Sequence, residues 1–219
     1  MSSDLDKQRL YEAIGRVAAA LGSAGRLQIL ELVAQGERGV DTLAAMTGLS
    51  VANTSKHLQA LRQAGLVNGR KEGLRVYYAL AGDDVSLLLA ALRGVAEQRA
   101  ADVERLLRTW LAHRDELDPV PAREVLERLR KGLVTVLDVR PAEEYASGHL
   151  PGAINVPMEK LETYLSKLPK RKEVVAYCRG PYCLMSFDAV EKLRRRGFKA
   201  KRMEDGYPEW RAAGLPVER

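Results

Sequence analysis

The stretch that most constrains the chain runs from Glu173 to Gly197. Glu173-Val-Val-Ala-Tyr177 is a compact apolar run entered from the polar Pro169-Lys-Arg-Lys172, and it reads as a short buried strand. Leu184 to Arg196 reads as an amphipathic helix, with Leu184, Phe187, Val190 and Leu193 on one face and Gly197 as its stop. The turn between them holds both cysteines of the protein, Cys178 and Cys183. A tight loop that joins a strand end to a helix N-terminus turns successive backbone N–H groups inward and favours an anion at its centre. A thiol at the first position of such a loop is biased toward thiolate, its reactive form. The competing reading is a pair of small inert hydrophobes, since free cysteine is commonly buried. The order strand, cysteine, loop, helix favours the reactive reading.

This loop resembles the active-site loop of the rhodanese family, and the resemblance extends beyond it. Leu137-Asp-Val-Arg-Pro-Ala-Glu-Glu-Tyr-Ala-Ser-Gly-His-Leu-Pro-Gly-Ala-Ile-Asn155 is similar to that family's first signature, and Gly206-Tyr-Pro-Glu-Trp-Arg-Ala-Ala-Gly-Leu-Pro-Val217 to its closing segment. The resemblance implies that Cys178 carries a persulfide sulfur. It also implies an amide cradle from Arg179 to Leu184, with Gly180, Pro181, Tyr182 and Leu184 around the sulfur. Asp138, Arg140 and Glu144 resemble the family's structural charge network, which braces loops rather than doing chemistry.

At 219 residues the chain can form one large domain or two small ones, each with a core. No apolar run approaches the ~20 residues that cross a bilayer. The start, Met1-Ser-Ser-Asp-Leu-Asp-Lys-Gln-Arg9, lacks the basic-then-apolar order of a signal peptide. Two cysteines in one loop do not make a secreted disulfide framework, so a cytoplasmic protein is expected. The net charge of +6 lies entirely in the second half: residues 1–118 hold 15 Lys/Arg against 15 Asp/Glu, residues 119–219 hold 20 against 14. Any nucleic-acid reading of the first half must therefore rest on local charge.

Leu5 to Leu21 is helical in pattern, with Leu10, Ile14, Val17 and Leu21 at three- and four-residue spacing. Arg26 to Ala34 gives a second helix, closed by Gly36. A third helix runs to Thr47, followed by the turn Gly48-Leu-Ser50 with Ser50 as N-cap and a fourth helix to Ala64. A short helix, a glycine-containing turn and a longer helix form a helix-turn-helix pattern. On the fourth helix Thr54, Leu58 and Leu61 share one face, while Ala52, Asn53, Lys56, Ala60 and Gln63 share the other. Small residues between an amide and an ammonium suit a helix that enters a major groove. Asn53, Ser55, Lys56, His57 and Gln59 are the candidate DNA contacts here, His57 at the edge of the buried face. Asn68 to Leu80 reads as a β-hairpin whose Arg70, Lys71 and Arg75 lie near its tip. From Lys56 to Arg75 five basic residues face one acidic, Glu72, a local stripe of the kind that tracks phosphates.

The order helix, helix, helix-turn-helix, wing, long helix resembles the ArsR family of dimeric winged-helix repressors over about residues 8 to 113, most specifically from Ser50 to Leu66. That family's metal sensors carry cysteines at the start of the motif's first helix, where this chain has Arg38-Gly-Val-Asp41. Their alternative site on the last helix needs several histidines and carboxylates, and that helix has only His113, so no metal and no cofactor are expected. A long helix is expected from Asp83 to about Arg114, spanning ~45 Å. Its stripe of Leu88, Leu92, Val95, Val103, Leu106, Leu107 and Trp110 implies cover by a partner helix, hence a homodimer, or else packing along the chain's own second domain.

The expected architecture is two domains. Residues 1–114 form a mainly α winged helix-turn-helix domain for DNA binding and dimerisation. Residues 115–121 form an acidic, proline-bearing linker, and residues 122–219 an α/β rhodanese-like domain with a mainly parallel sheet. The leading functional expectation is a DNA-binding repressor that senses or handles reactive sulfur through a persulfide on Cys178. Its partners would be a double-stranded operator, a second copy and a small sulfur-containing anion or persulfide donor. Cys183 would resolve the persulfide as a bridge, if the two Cα atoms lie within ~7 Å. Two alternatives stand beside it: a sulfurtransferase tethered to DNA, with Arg179 recruiting an anionic donor such as thiosulfate, and a thiol-based arsenite or redox sensor. A phosphatase is disfavoured because Leu184 stands where that chemistry wants an arginine.

Overall fold

The computed structural model describes residues 2–111 and 119–219. They form two compact units, residues 1–85 and 86–219. The expected linker at 115–121 falls largely outside the described residues, as do His113 and Arg114. The units divide inside a helix rather than at residue 114, and the helical segment that follows the wing belongs with the second unit.

In the first unit, helices α1 (Ser2–Leu21), α2 (Ala24–Val33), α3 (Val40–Thr47) and α4 (Val51–Gln63) precede a hairpin of β2 (Val67–Glu72) and β3 (Arg75–Leu80). The sequence pattern places α3 and α4 within a residue of their observed ends, for identifiable reasons. Gly48 adopts φ 70° and closes α3, and the Ser50 side chain accepts the Asn53 N–H at the start of α4. Leu58 and Leu61 are fully buried with Ile29, Leu30 and Leu43, each contributing about 1.5–3 kcal/mol over exposure. Thr54, polar and buried among them, donates its hydroxyl to the Ser50 carbonyl. A two-residue strand, β1 (Arg38–Gly39), pairs antiparallel with β3 and completes a small sheet in the order β1-β3-β2.

The long helix expected from Asp83 is two helices, α5 (Asp83–Arg99) and α6 (Ala101–Leu111), with Ala100 between them. Hydrogen bonds from Ala100 N–H to Ala96 and from Glu104 N–H to Ala100 carry the chain through the break. Leu88, Leu92, Val95, Leu106 and Trp110 all remain exposed.

The rest of the second unit is an α/β fold. Helix α7 (Ala122–Arg130) leads into strand β4 (Val134–Asp138), helix α8 (Ala142–Ser147) and the short strand β5 (Ile154–Asn155). The segment expected as one helix over 159–168 is a single helical turn, α9 (Leu161–Tyr164), between two 3-10 turns. Then come β6 (Glu173–Tyr177), α10 (Leu184–Arg195), β7 (Ala200–Arg202) and α11 (Tyr207–Ala212). The strands pair in the order β5-β4-β6-β7, and every ladder is parallel. Alternation along β6 then decides the site. Val174, Ala176 and Cys178 join the core that includes Val190 and Leu193 of α10, while Val175 and Tyr177 join the core with Val125 of α7 and Trp210 of α11.

Candidate functional site

Cys178 follows the last residue of β6 and is buried, with only 1% of its surface exposed. The loop from Arg179 to Cys183 returns to the start of α10, and a disulfide joins Cys178 to Cys183 across Cα atoms 6.2 Å apart. The separation the bridge requires is therefore met. Cys183 is the residue before α10, its N–H donating to the Gly180 carbonyl within the loop's own turn. Pro181 was expected in the amide cradle, but a proline has no N–H to give. Donors for a bound sulfur are left to Arg179, Gly180, Tyr182 and Leu184.

Two charged clusters hold this loop. Arg179 makes a bidentate pair with Glu144, at 3.0 Å from Nε and 2.7 Å from Nη2, and the carboxylate is buried. The Arg179 guanidinium, expected to recruit an anionic donor, thus already has a carboxylate partner. The second cluster lies beneath: the fully buried Arg140 pairs with Asp138 at 2.5 Å and donates to the Gly148 carbonyl at 2.8 Å. Its guanidinium also lies over the Tyr207 ring. Burial works to lower the Arg140 pKa, but the hydrogen bonds and charge of Asp138, with smaller help from Tyr177 and Glu144, leave it raised. Tyr177 donates its hydroxyl to Asp138 at 2.5 Å and accepts the Leu150 N–H, and burial followed by the Asp138 charge pushes its pKa well up. A tyrosine just before the cysteine is thus a bolt between strand and loop, remaining neutral at ordinary pH.

The loop's back is formed by Gly206. A Cβ built there would stand 2.3 Å from the Gly180 nitrogen and 2.4 Å from the Arg179 carbonyl carbon, so only glycine fits. Tyr207 N–H donates to the Cys178 carbonyl, and Glu209 accepts the Gly206 N–H at 3.1 Å. Outward, the Tyr182 hydroxyl donates to Glu97 of α5, its ring stands 6.4 Å from that of Trp110 of α6, and Arg93 of α5 pairs with Glu209. An apolar cavity of about 320 Å³ opens between Tyr182 and Val103, Leu106, Leu107 and Trp110. None of these ties is visible as a local sequence pattern.

On the first unit, Asn53, Lys56 and Gln59 are exposed on α4, Ser55 is half-buried, and Lys71 and Arg75 stand exposed on the wing. Two of the expected contacts have local partners. The His57 ring is half-buried and packs toward Gly25, whose added Cβ would meet Nε2 at 3.1 Å. Arg70 is clamped by Glu37, at 2.6 Å, and by Glu72, at 2.7 Å, so the basic wing carries its own carboxylates. Those pairs raise the Arg70 pKa further, and hydrogen bonding from Arg70 lowers that of Glu37.

Comparison with known proteins bears on both units. The rhodanese-like domain matches residues 121–213, and the bacterial regulatory protein, arsR family, matches residues 23–69. The HTH-type transcriptional regulator Rv0324 of Mycobacterium tuberculosis is 46% identical over 212 residues, spanning 97% of this chain and 93% of that protein. The chain belongs to the ArsR-family regulators that carry a rhodanese-like domain. A sulfurtransferase of Allochromatium vinosum is 32% identical over 85 residues, 38% of this chain and 78% of its own length. Among solved structures, a homodimeric winged helix-turn-helix DNA-binding domain, fragment 1–100, from Mycobacterium bovis is 45% identical, covering 44% of this chain and 89% of its own at a TM-score of 0.41. For this ArsR–rhodanese chain, a winged helix-turn-helix and a parallel-sheet rhodanese-like fold are thus present in one polypeptide. No described helix is long and apolar enough to cross a membrane.

Proposed function

We propose that this chain is a cytoplasmic, homodimeric repressor whose grip on its operator is set by the sulfur state of Cys178. The observation that carries the proposal is the pairing of Cys178 with Cys183 inside one loop at the end of β6. One cysteine can accept a sulfane sulfur, and the other stands where it can resolve it. In the first step the Cys178 thiolate attacks the outer sulfur of a persulfide RS–SH. The donor's S–S bond breaks, RS⁻ leaves, and Cys178–S–SH forms. In the second, the Cys183 thiolate attacks the inner sulfur of that persulfide, expelling HS⁻ and leaving the bridge. The sulfane sulfur is the oxidant, reduced to sulfide, while two thiols become one disulfide; two equivalents of a small thiol reset the pair.

Exposed Asn53 and Lys56 on α4, with Lys71 and Arg75 on the wing, would contact the duplex. Winged-helix readers bind half-sites as dimers, and the bare stripe of Leu88, Leu92 and Val95 on α5 gives a second copy something to cover. A tenfold change in operator occupancy needs ~1.4 kcal/mol of coupling between the sulfur loop and the DNA-reading face.

The test uses a duplex enriched by the reduced protein from a randomised pool. Wild type, Cys178→Ser and Cys183→Ala are compared, reduced and after glutathione persulfide, by intact mass and by DNA binding at one salt concentration. Cys178→Ser should bind like reduced wild type and ignore the donor. Cys183→Ala should gain one sulfur, form no bridge and respond partially. Equal binding by wild type before and after the donor would sink the sensor and leave sulfur transfer as the domain's task.

A further inference from the structure

Arg93 and Glu97 are one turn apart on α5 and so share a face of that helix. Each has its partner in the rhodanese-like fold: Arg93 pairs with Glu209, and Glu97 accepts the Tyr182 hydroxyl. Neither partner is remote from the sulfur chemistry. Tyr182 is the residue before Cys183, so it cannot stay still when Cys183 leaves or joins the bridge. Glu209 holds the Gly206 N–H, and Gly206 lies against the backbone of Arg179 and Gly180. Two arms of the loop, one on each side of Gly180-Pro181, thus end on one face of one helix.

The opposite face of α5 is the apolar one. At 100° per residue, Leu88, Leu92 and Val95 lie roughly 150° around the helix from Arg93 and Glu97. All three leucine and valine side chains are exposed, Val95 by 61%. Helix α5 therefore stands between the sulfur loop and the stripe proposed above as the dimer seam.

Closing the loop constrains it sterically. Cys178 is buried, and the space its sulfur faces inside the loop is taken by the Cys183 sulfur in the bridged form. A persulfide's outer sulfur bonded to Cys178 needs that same space, so Cys183 must withdraw before it can be accommodated. Withdrawal moves Tyr182, whose hydroxyl is held by Glu97 and whose ring neighbours Trp110.

We propose that α5 is the reader of the sulfur loop, with Glu97 and Arg93 as positioning residues that convert the open or bridged state of Cys178–Cys183 into a shift of the helix and of its apolar far side. The inference rests on the sulfur-site reading for its signal, but its mechanical content concerns only the opening of the bridge. It is therefore tested without a sulfur donor. Full-length protein is bridged with diamide, which takes up the two electrons and two protons of the thiols, or opened with a phosphine reductant. Amide hydrogen exchange is followed over residues 90–99, and self-association by sedimentation.

In wild type, opening the bridge should change exchange over residues 90–99 by about tenfold, the scale set by losing one hydrogen bond to a charged group. The dimer constant should move with it. Glu97→Ala should form and open the bridge normally by mass yet lose most of the exchange difference. Glu97→Gln, whose amide oxygen still accepts, should restore part of it. Loss through misfolding would show as faster exchange in β6 and α10 as well, and Cys178→Ser, which cannot form the bridge, must show no diamide-dependent change. A full wild-type response in Glu97→Ala would overturn the proposal, as would a bridge-dependent dimer constant with unchanged exchange in α5. An α5 response to the bridge in a protein that takes up no sulfane sulfur would instead refute the sulfur signal and leave the reader in place.

Discussion

The contact behind the sulfur loop gives the sharpest test of the site's construction. A methyl group at Gly206 would stand 2.3 Å from the Gly180 nitrogen and 2.4 and 2.5 Å from the Arg179 carbonyl carbon and oxygen, where ordinary contact begins near 3.4 Å. All three are backbone atoms, so no side chain can swing aside. Restoring contact in Gly206→Ala requires the loop or the start of α11 to give by about 1 Å in a close-packed interior. Such overpacking costs about 1–3 kcal/mol, measurable as a lowered urea midpoint at unchanged slope. An error of about 1 Å in a reacting group's position slows chemistry by about 100-fold, so the rate of sulfur uptake by Cys178, followed by mass, should fall by more than the stability loss explains. The control is the glycine on the other side of the same contact. A Cβ on Gly180 meets nothing nearer than the Glu209 carboxylate at 3.9 Å, so Gly180→Ala should stay within about 0.5 kcal/mol of wild type. Wild-type stability and uptake in Gly206→Ala would refute the reasoning, and so would equal damage from the two substitutions.

Other outcomes follow from the same structure. Lys56→Ala should weaken duplex binding and reduce its salt slope by about one counterion, whereas Arg70→Ala should change the slope less, because a phosphate must first displace Glu37; equal slopes would dismiss the clamp as irrelevant. Leu88→Glu with Leu92→Glu should abolish self-association in sedimentation by placing charge in the proposed seam, and an unchanged dimer would assign the stripe to some other role. Burial, then the Glu209 charge, raises the Asp205 pKa. A raised carboxyl pKa favours the protonated form in the fold, so its contribution is present below the unfolded value and fades as pH rises through the folded one. Asp205→Asn should therefore gain on wild type in denaturation midpoints as pH rises above the ordinary carboxylate range; a pH-independent difference would contradict the shift.

What could be read in the chain beforehand was whatever repeats locally. The Ser50 cap, the 54–58–61 face, the 173–177 strand and the Cys178–Cys183 loop are all patterns within a few residues, and all stand where the pattern puts them. What could not be read depends on distant partners. Glu144 and Arg179 are 35 positions apart, Glu37 and Arg70 33, Glu97 and Tyr182 85, and charge alone does not say which acid meets which base. Strand β1 was missed because two residues carry no period. The break at Ala100 was missed because alanine is the best of helix formers, so nothing in the sequence marks a stop.

The pairing of Arg179 with Glu144 reaches beyond loop architecture to the choice of donor. Entry into a nearly closed loop strips water from whatever enters, and the cost rises steeply with charge. A site offering an uncompensated guanidinium would offset the dehydration of a dianion such as thiosulfate. Here the positive charge is matched by a buried carboxylate 2.7 Å away. Under the proposed function, hydration should then favour singly charged or neutral persulfides over small, heavily hydrated dianions as donors.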